Sequence, residues 1–406
     1  MMKTLKWLAG GLLALFLLCA LVLGAWVLSN VRDAEPPSWP PELRVGPNRL
    51  AEADNLHHAL LVPKALARSF NLRMCEPDCS TAWRRELPAW RNQAGAAEFF
   101  AACEALDQRP RLQYEEPLPT RVTPSADLPP YQLLVSCSNH LLLQAFEHAD
   151  AGRDALPWLQ QADRLGRAVQ QGARTLIGQM IATALAGNQL LVLREIGQLR
   201  PELGPELATL AQASEQDWRA GMLRWIGAQA EFGRNLIEDM ATQAPCAESE
   251  GMPLGLWARL TCPLQGLGWQ PNYQQQLAIT LWGRLRTLAQ QHPLETLPAA
   301  VRAATPAETG WTWFHTIPHV MWAVAQPAWT GYFERTADLL LSSQATVLWL
   351  QAQAQPAATR ADWARAQLQG ELARRLTITP EGGWSLQTWR SQGAKDMPVH
   401  WPATRS

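Results

Sequence analysis

Apolar and polar positions follow two patterns along this chain. The first is an unbroken apolar run: from Trp7 to Val31 no side chain is charged, and most are Leu, Ala, Val or Gly. About 20 such residues cross the hydrocarbon core of a bilayer as a helix. The second is helical periodicity, which starts near Asp54. Residues 80–108 space Trp83, Leu87, Trp90, Ala94, Ala97, Phe100 and Leu106 as one helix, ended by Pro110. Residues 109–130 hold six prolines and read as a loop. Helices are then predicted at 131–150, stopped by Gly152, at 154–171 and at 173–198, with Pro201 as a stop. One or two long helices fill 202–243. Further helices are predicted at 271–291, 297–304, 317–355 (broken near Pro327) and 360–375. The stretch "RLTITPEGGWSLQTW", 375–389, alternates about Glu381-Gly382-Gly383 and predicts a small β-hairpin. The last dozen residues read as loosely ordered.

This pattern predicts an all-α fold with a small β-hairpin at its C-terminal end. A cytoplasmic tail (1–6) leads into a transmembrane helix (7–31) and a Pro-rich spacer (32–50). An α-helical domain (51–375) follows, built as an antiparallel α-hairpin stack or bundle. The hairpin and tail (376–406) close the chain. No repeat of fixed length is visible. The spacer, with "DAEPPSWPPELRVGP" at 33–47, is expected to be stiff and extended and to hold the domain off the membrane.

Flanking charge sets the expected orientation. Lys3 and Lys6 precede the apolar run, while Arg32, Asp33 and Glu35 follow it. Positive charge on the cytoplasmic side then puts the N-terminus inside and the bulk of the chain outside. The expected location is a bacterial inner membrane, with most of the chain in the periplasm. A cleaved signal peptide would need small residues before the cut. Val22-Leu23-Gly24 could serve, but the apolar run continues past it. A lipidated Cys19 is disfavoured by Leu18 before it. The 406 residues carry a net charge of −1, which gives no electrostatic case for nucleic acid. The basic residues are nearly all Arg; Lys3, Lys6, Lys64 and Lys395 are the only lysines.

Cys19 lies inside the apolar run, and Cys75, Cys79, Cys103, Cys137, Cys246 and Cys262 lie outside it. An even number of cysteines in an exported domain points to disulfides. Sequence alone leaves the pairing open. Proximity favours Cys75–Cys79, Cys103–Cys137 and Cys246–Cys262. Zinc is the rival for Cys75 and Cys79, whose spacing suits it, but no tight Cys/His pair accompanies them.

Other candidate chemistry is sparse. His315 and His319 stand four apart, as metal ligands on one helical face do. Pro318 between them favours a non-helical Ile317, and no Glu follows the first His. Core or surface histidines fit better, and no metal or other cofactor is expected. His57-His58 reads as polar packing in a short helix. Glu248, in "CAESEGMPLGLW", is the candidate general acid, because helical peptidoglycan-cleaving enzymes use a Glu followed by Ser. The Gly-Leu-Met-Gln stretch that normally follows is absent. The chain has 20 Trp against 4 Tyr. Their helical spacing favours core packing, with Trp311, Trp313 and Trp322 as a candidate interaction patch. Nucleophile-elbow, phosphate-loop and dinucleotide glycine motifs are missing.

Four segments resemble an uncharacterised family of bacterial single-pass, envelope-anchored helical proteins. They are "EADNLHHALL" (52–61), "TLIGQMIATAL" (175–185), "WQPNYQQQLA" (269–278) and "IPHVMWAVAQPAWTGYFERTADL" (317–339). The family has no established activity, so the resemblance implies topology and fold only. Where this chain has His57-His58 the family tends to aromatic residues, and at His319 to a small one. Both departures favour packing roles.

The functional expectation is a membrane-anchored scaffold or accessory factor of an envelope process, not an enzyme, that acts through a protein partner. The alternative is a cell-wall glycan binder or glycan-cleaving protein that uses an acidic loop residue and Trp platforms.

Overall fold

The computed structural model describes residues 2–31, 33–51, 54–56, 72, 79–108, 113–116, 131–242, 270–304, 316–379, 382–391 and 399–401. The fold is predominantly α-helical. Helix α1 (Met2–Val31) carries the apolar run. Most of its described large side chains are exposed, with Leu13, Phe16 and Leu21 each at least 60% exposed.

The helical domain is built on three consecutive helices packed against one another: α4 (Tyr131–Asp150), α5 (Leu156–Gly172) and α6 (Leu176–Leu199). Helix α6 is long and apolar enough to cross a membrane, but it is 61% buried inside the domain. It is therefore a core helix. Its first turn is capped by Thr175, whose hydroxyl accepts from the Gly178 N–H at 3.0 Å. Preceding this core are α2 (Cys79–Arg91) and α3 (Ala96–Glu104). These were expected as one helix over 80–108. The break comes at Gly95, whose φ of 79° lies in the left-handed region that glycine adopts without cost. The Cys103–Cys137 disulfide fastens α3 to α4, with Cα atoms 5.5 Å apart and both residues fully buried.

Helices α7 (Gly204–Ala211) and α8 (Glu215–Thr242) follow, and α8 packs along α9 (Pro271–Gln291). Helix α10 (Leu297–Ala304) leads to α11 (Thr316–Gln353), which packs on α6, α7 and α10. An aromatic cluster joins three of these helices. Trp282 of α9 meets Trp329 of α11 at 4.7 Å, and Trp225 of α8 meets Phe333 of α11 at 5.2 Å. Such tilted pairs add to the burial of large apolar faces.

Two expectations about α11 need correction. It runs unbroken through Pro327, and Ile317 is helical despite preceding Pro318. Pro318 falls in the first turn, where the missing N–H has no intrahelical acceptor to lose. The predicted helix over 360–375 is divided into α12 (Arg360–Ala366) and α13 (Gly370–Arg375).

The C-terminal hairpin is present and gains a strand. β1 (Leu376–Ile378) pairs antiparallel with β2 (Trp384–Leu386), in the register Leu376↔Leu386 and Ile378↔Trp384. β3 (Val399–Trp401) pairs antiparallel with β2, Trp384 facing Trp401. The tail, expected to be loose, is held here by the burial of Trp401 beneath the Arg194 guanidinium, 5.0 Å from the ring.

The spacer departs most from its expectation. It does not stand free, because it is docked on the domain. Asp33 accepts from the N–H groups of Asn272 and Tyr273, both at 3.0 Å, and so caps the first turn of α9 from another part of the chain. The Trp39 indole donates to Gln275 at 2.9 Å, and Leu43 is fully buried. Prolines keep most of the segment extended, with one turn of 3-10 helix at Pro41–Leu43, and Trp39 and Leu43 anchor it.

Candidate functional site

A polar cleft lies where the spacer, an extended segment and three helices meet. Its wall begins with spacer residues 42–50. The second wall is the segment Gln113–Glu116, which had been read as loop. Its backbone is fixed by pairing with residues 55–56: Leu56 N–H donates to the Gln113 carbonyl at 2.8 Å, and the Asn55 amide group donates to the Glu115 carbonyl at 2.7 Å. Glu116 N–H in turn donates to the Gly172 carbonyl at 3.0 Å. The remaining walls are the C-terminal end of α5, Leu223, Arg224 and Gly227 of α8, and Arg286 of α9. The cavity measures about 650 Å³, within the usual range for small-ligand sites.

Two adjacent carboxylates, Glu115 in the cleft wall and Glu116 buried behind it, serve different purposes. Glu116 is fully buried and accepts from the N–H groups of Arg174 (2.6 Å) and Thr175 (2.7 Å) and from the hydroxyls of Thr175 and Tyr131. It thereby satisfies orphan donors where α6 begins. Gly178 is required beside it, because a Cβ there would lie 2.3 Å from the Glu116 Oε2. Burial, then the Glu116 charge, holds the Tyr131 phenol far above its ordinary value, so it stays a donor. Glu115 instead faces the cleft and accepts from the N–H groups of Arg49 and Leu50, both at 2.7 Å, and from Arg174 Nη1 at 3.4 Å.

Five arginines line the cleft, Arg44, Arg49, Arg174, Arg224 and Arg286, against two carboxylates, Glu42 and Glu115. Arg174 is buried and tied to the Gly46 carbonyl, the Asn48 side chain and Glu115. Its guanidinium is pushed below the ordinary value by burial, while Glu115 and Glu116 oppose that shift and Arg49 adds to it. Arg224 donates through Nη2 to the Gln170 carbonyl at 2.9 Å and through Nε to the Ala173 carbonyl at 3.3 Å, which closes the end of α5. Burial lowers its value also, against Asp217. Arg286 donates through Nη1 to the Leu223 carbonyl at 3.1 Å, and Arg44 through Nη2 to the Trp39 carbonyl at 3.2 Å. The Arg49 guanidinium makes no hydrogen bond or ion pair among the described residues. Tyr114, also in the wall, keeps a buried hydroxyl without a hydrogen-bond partner.

The residues singled out from sequence lie elsewhere. Glu248, His57, His58, His315, Trp311, Trp313, Cys75, Cys246 and Cys262 fall outside the described residues. His319 and Trp322 lie in α11, where only the backbone is described. Cys79 is disulfide-bonded, and of the expected cysteine pairs the structure describes Cys103–Cys137. Among the described residues no group of three or more His, Cys, Asp and Glu side chains could hold a metal ion. Among the described residues ten tryptophans are buried in the core, six of them in helices, where helical spacing places them. The arginine cleft was not anticipated, because its cations come from separate segments and no local motif links them. Comparison of the chain with protein-family models, curated proteins and solved structures returns no match.

Proposed function

We infer that this is a single-pass membrane-anchored helical protein of the bacterial envelope, with its bulk in the periplasm. It acts there by contact, as a scaffold or accessory factor, not by catalysis. The observation that carries this reading is the bare apolar surface of α1. The span Gly11–Leu28 is 0% buried by the rest of the chain. An exposed Leu or Phe gives up about 1.5–3 kcal/mol relative to its buried state, so a surface of this extent calls for lipid. The Cys103–Cys137 bridge supports an oxidising compartment. The lysines before α1 and the mixed charges after it support the orientation, and the resemblance to envelope-anchored helical proteins agrees with both.

The test has two parts. Carbonate-washed membranes should retain the full chain, whereas a chain lacking residues 1–31 should be soluble. Protease added to intact spheroplasts should degrade the domain. Release of the full chain by carbonate, or protection from protease, would overturn the anchoring or the orientation respectively. Photo-crosslinking in cells from surface positions of α12 should trap a discrete protein adduct. A clean absence of adducts across that surface and the cleft rim would count against a scaffold.

A further inference from the structure

We propose that the arginine cleft is a binding site for a phosphate-bearing ligand, held by Arg49, Arg224 and Arg286 and shaped by Arg174. This assignment stands whether or not the chain is a scaffold, since it rests on the charge and donors of the cleft. The first support is an excess of cations. Five arginines and two carboxylates line the cleft, and Glu116, Glu231 and Asp217 behind it offset part of the charge of Arg174 and Arg224, so the uncompensated charge rests on Arg44, Arg49 and Arg286. Like charges gathered in a partly desolvated cleft repel, and a polyanion relieves that repulsion. A phosphate monoester or diphosphate presents three or more acceptor oxygens and two or more charges, which suits several planar donor forks better than one carboxylate does.

The second support is the supply of unengaged donors. Each guanidinium offers five N–H groups in a planar fork that matches phosphate oxygens. Arg224 uses Nε and Nη2 on backbone carbonyls, and Arg286 uses only Nη1. The Arg224 Nη1 and the Arg286 Nε and Nη2 therefore remain available in the described structure, as does the whole Arg49 fork. The carbonyl contacts matter too, because they fix where two of the forks sit before any ligand arrives. Arg174 is a positioning residue: its bonds to Gly46, Asn48 and Glu115 hold the wall from which Arg49 projects. The third support is volume. About 650 Å³ holds a phosphate together with a substantial organic part.

The phosphate could belong to a soluble ester or to a lipid headgroup, and the two sources share this chemistry. The experiment separates them with full-length protein. In neutral detergent, inorganic diphosphate is titrated by calorimetry. In phosphatidylcholine nanodiscs with and without phosphatidic acid, protection of cleft residues from hydrogen exchange is followed. Arg49→Gln, Arg286→Gln and the double variant are compared with Arg85→Gln, an exposed control on α2. Circular dichroism and melting curves identify any variant that fails to fold. Arg49→Gln is the safest in that respect, because its guanidinium makes no hydrogen bond or ion pair among the described residues and Arg49 is exposed.

Expected is saturable diphosphate binding that weakens with salt, falls about tenfold per arginine removed and is unchanged in Arg85→Gln. Binding of diphosphate without any effect of phosphatidic acid supports a soluble ligand. Protection by phosphatidic acid alone, lost in the folded variants, supports a headgroup. Absence of both responses in the wild-type chain overturns the proposal. So does a response that survives in folded Arg49→Gln and in the double variant.

Discussion

Replacing Asp338 by Asn should stabilise the protein at neutral pH. Asp338 of α11 is 9% exposed and accepts from the N–H of Trp389 at 2.6 Å and of Arg390 at 3.4 Å, which tethers the segment after β2. Burial pushes its carboxyl from 3.8 up to about 6, although both hydrogen bonds and the charges of Arg390 and Arg375 pull the other way. The folded state therefore holds the proton more tightly than the unfolded chain. Stability is greatest below the unfolded value and falls as pH rises from about 4 to about 6. Above that, the ionised buried group costs the full difference, about 3 kcal/mol for a gap of roughly two pH units. Asn is neutral throughout and lacks this slope. Asp338→Asn should thus match the wild type near pH 4 and exceed it by up to about 3 kcal/mol at pH 7. Urea unfolding of the full chain in detergent, followed by Trp fluorescence across that range, reads the difference between the two proteins so that other titrating groups cancel. Parallel pH profiles, or a variant weaker at pH 7, would refute the reasoning. They would mean that Arg375 and Arg390 stabilise the carboxylate more than burial penalises it.

Asp33→Ala should remove the cap on α9, costing about 1 kcal/mol, and should expose residues 33–50 to limited proteolysis; an unchanged cleavage pattern would mean that Trp39 and Leu43 alone dock the spacer. Gly178→Ala drives a methyl group to 2.3 Å from an oxygen of Glu116. That carboxylate is pinned by two N–H groups and two hydroxyls, so a loss of about 1–3 kcal/mol is expected from the urea midpoint. Removing the Cys103–Cys137 bridge by a double Ser substitution opens a link with a sequence separation of 34. Chain-entropy arguments put the loss at about 3–4 kcal/mol, measurable as a lower melting temperature that responds less to reductant than the wild type's, since Cys79 is also disulfide-bonded.

The helical core was legible because its periodicity is strong and its stops are chemical. The predicted 131–150 coincides with α4, and 173–198 lies within three residues of α6 at each end. Where reading failed, a second influence outweighed the local one. Pro327 lies inside a long helix whose neighbours on α6, α7 and α10 hold it together, so tertiary packing tolerates a missing bond. Trp401 looked like part of a loose tail, yet a buried indole and a waiting edge of β2 make a strand. The spacer was read from its prolines, which do set an extended backbone. Trp39 and Leu43 were the signal for docking, since a free linker has little use for either. Cys103–Cys137 could be anticipated because the pair brackets one link. The cleft could not, because Arg49 and Arg286 are distant in sequence and no spacing rule joins them. Glu116 gave no warning either: a Glu beside a proline in a polar stretch reads as solvated until its donors are known.

The docked spacer gives the cleft an unusual position in the chain. One residue separates Val31, the end of α1, from Asp33, which already caps α9. The same segment continues through Trp39 and Leu43 and becomes the cleft wall at 42–50. Helix α9, whose first turn Asp33 holds, also supplies Arg286. Helix α1 thus ends one residue before a segment that forms one wall of the cleft and holds the helix that supplies another. A flexible linker would let the domain turn and retract independently of the bilayer, but a fastened one does not. If α1 lies in the membrane, its orientation is passed to the wall that carries Arg44 and Arg49. The bonds of Asp33 are then more than a cap, because they decide whether the cleft is presented in one orientation or many.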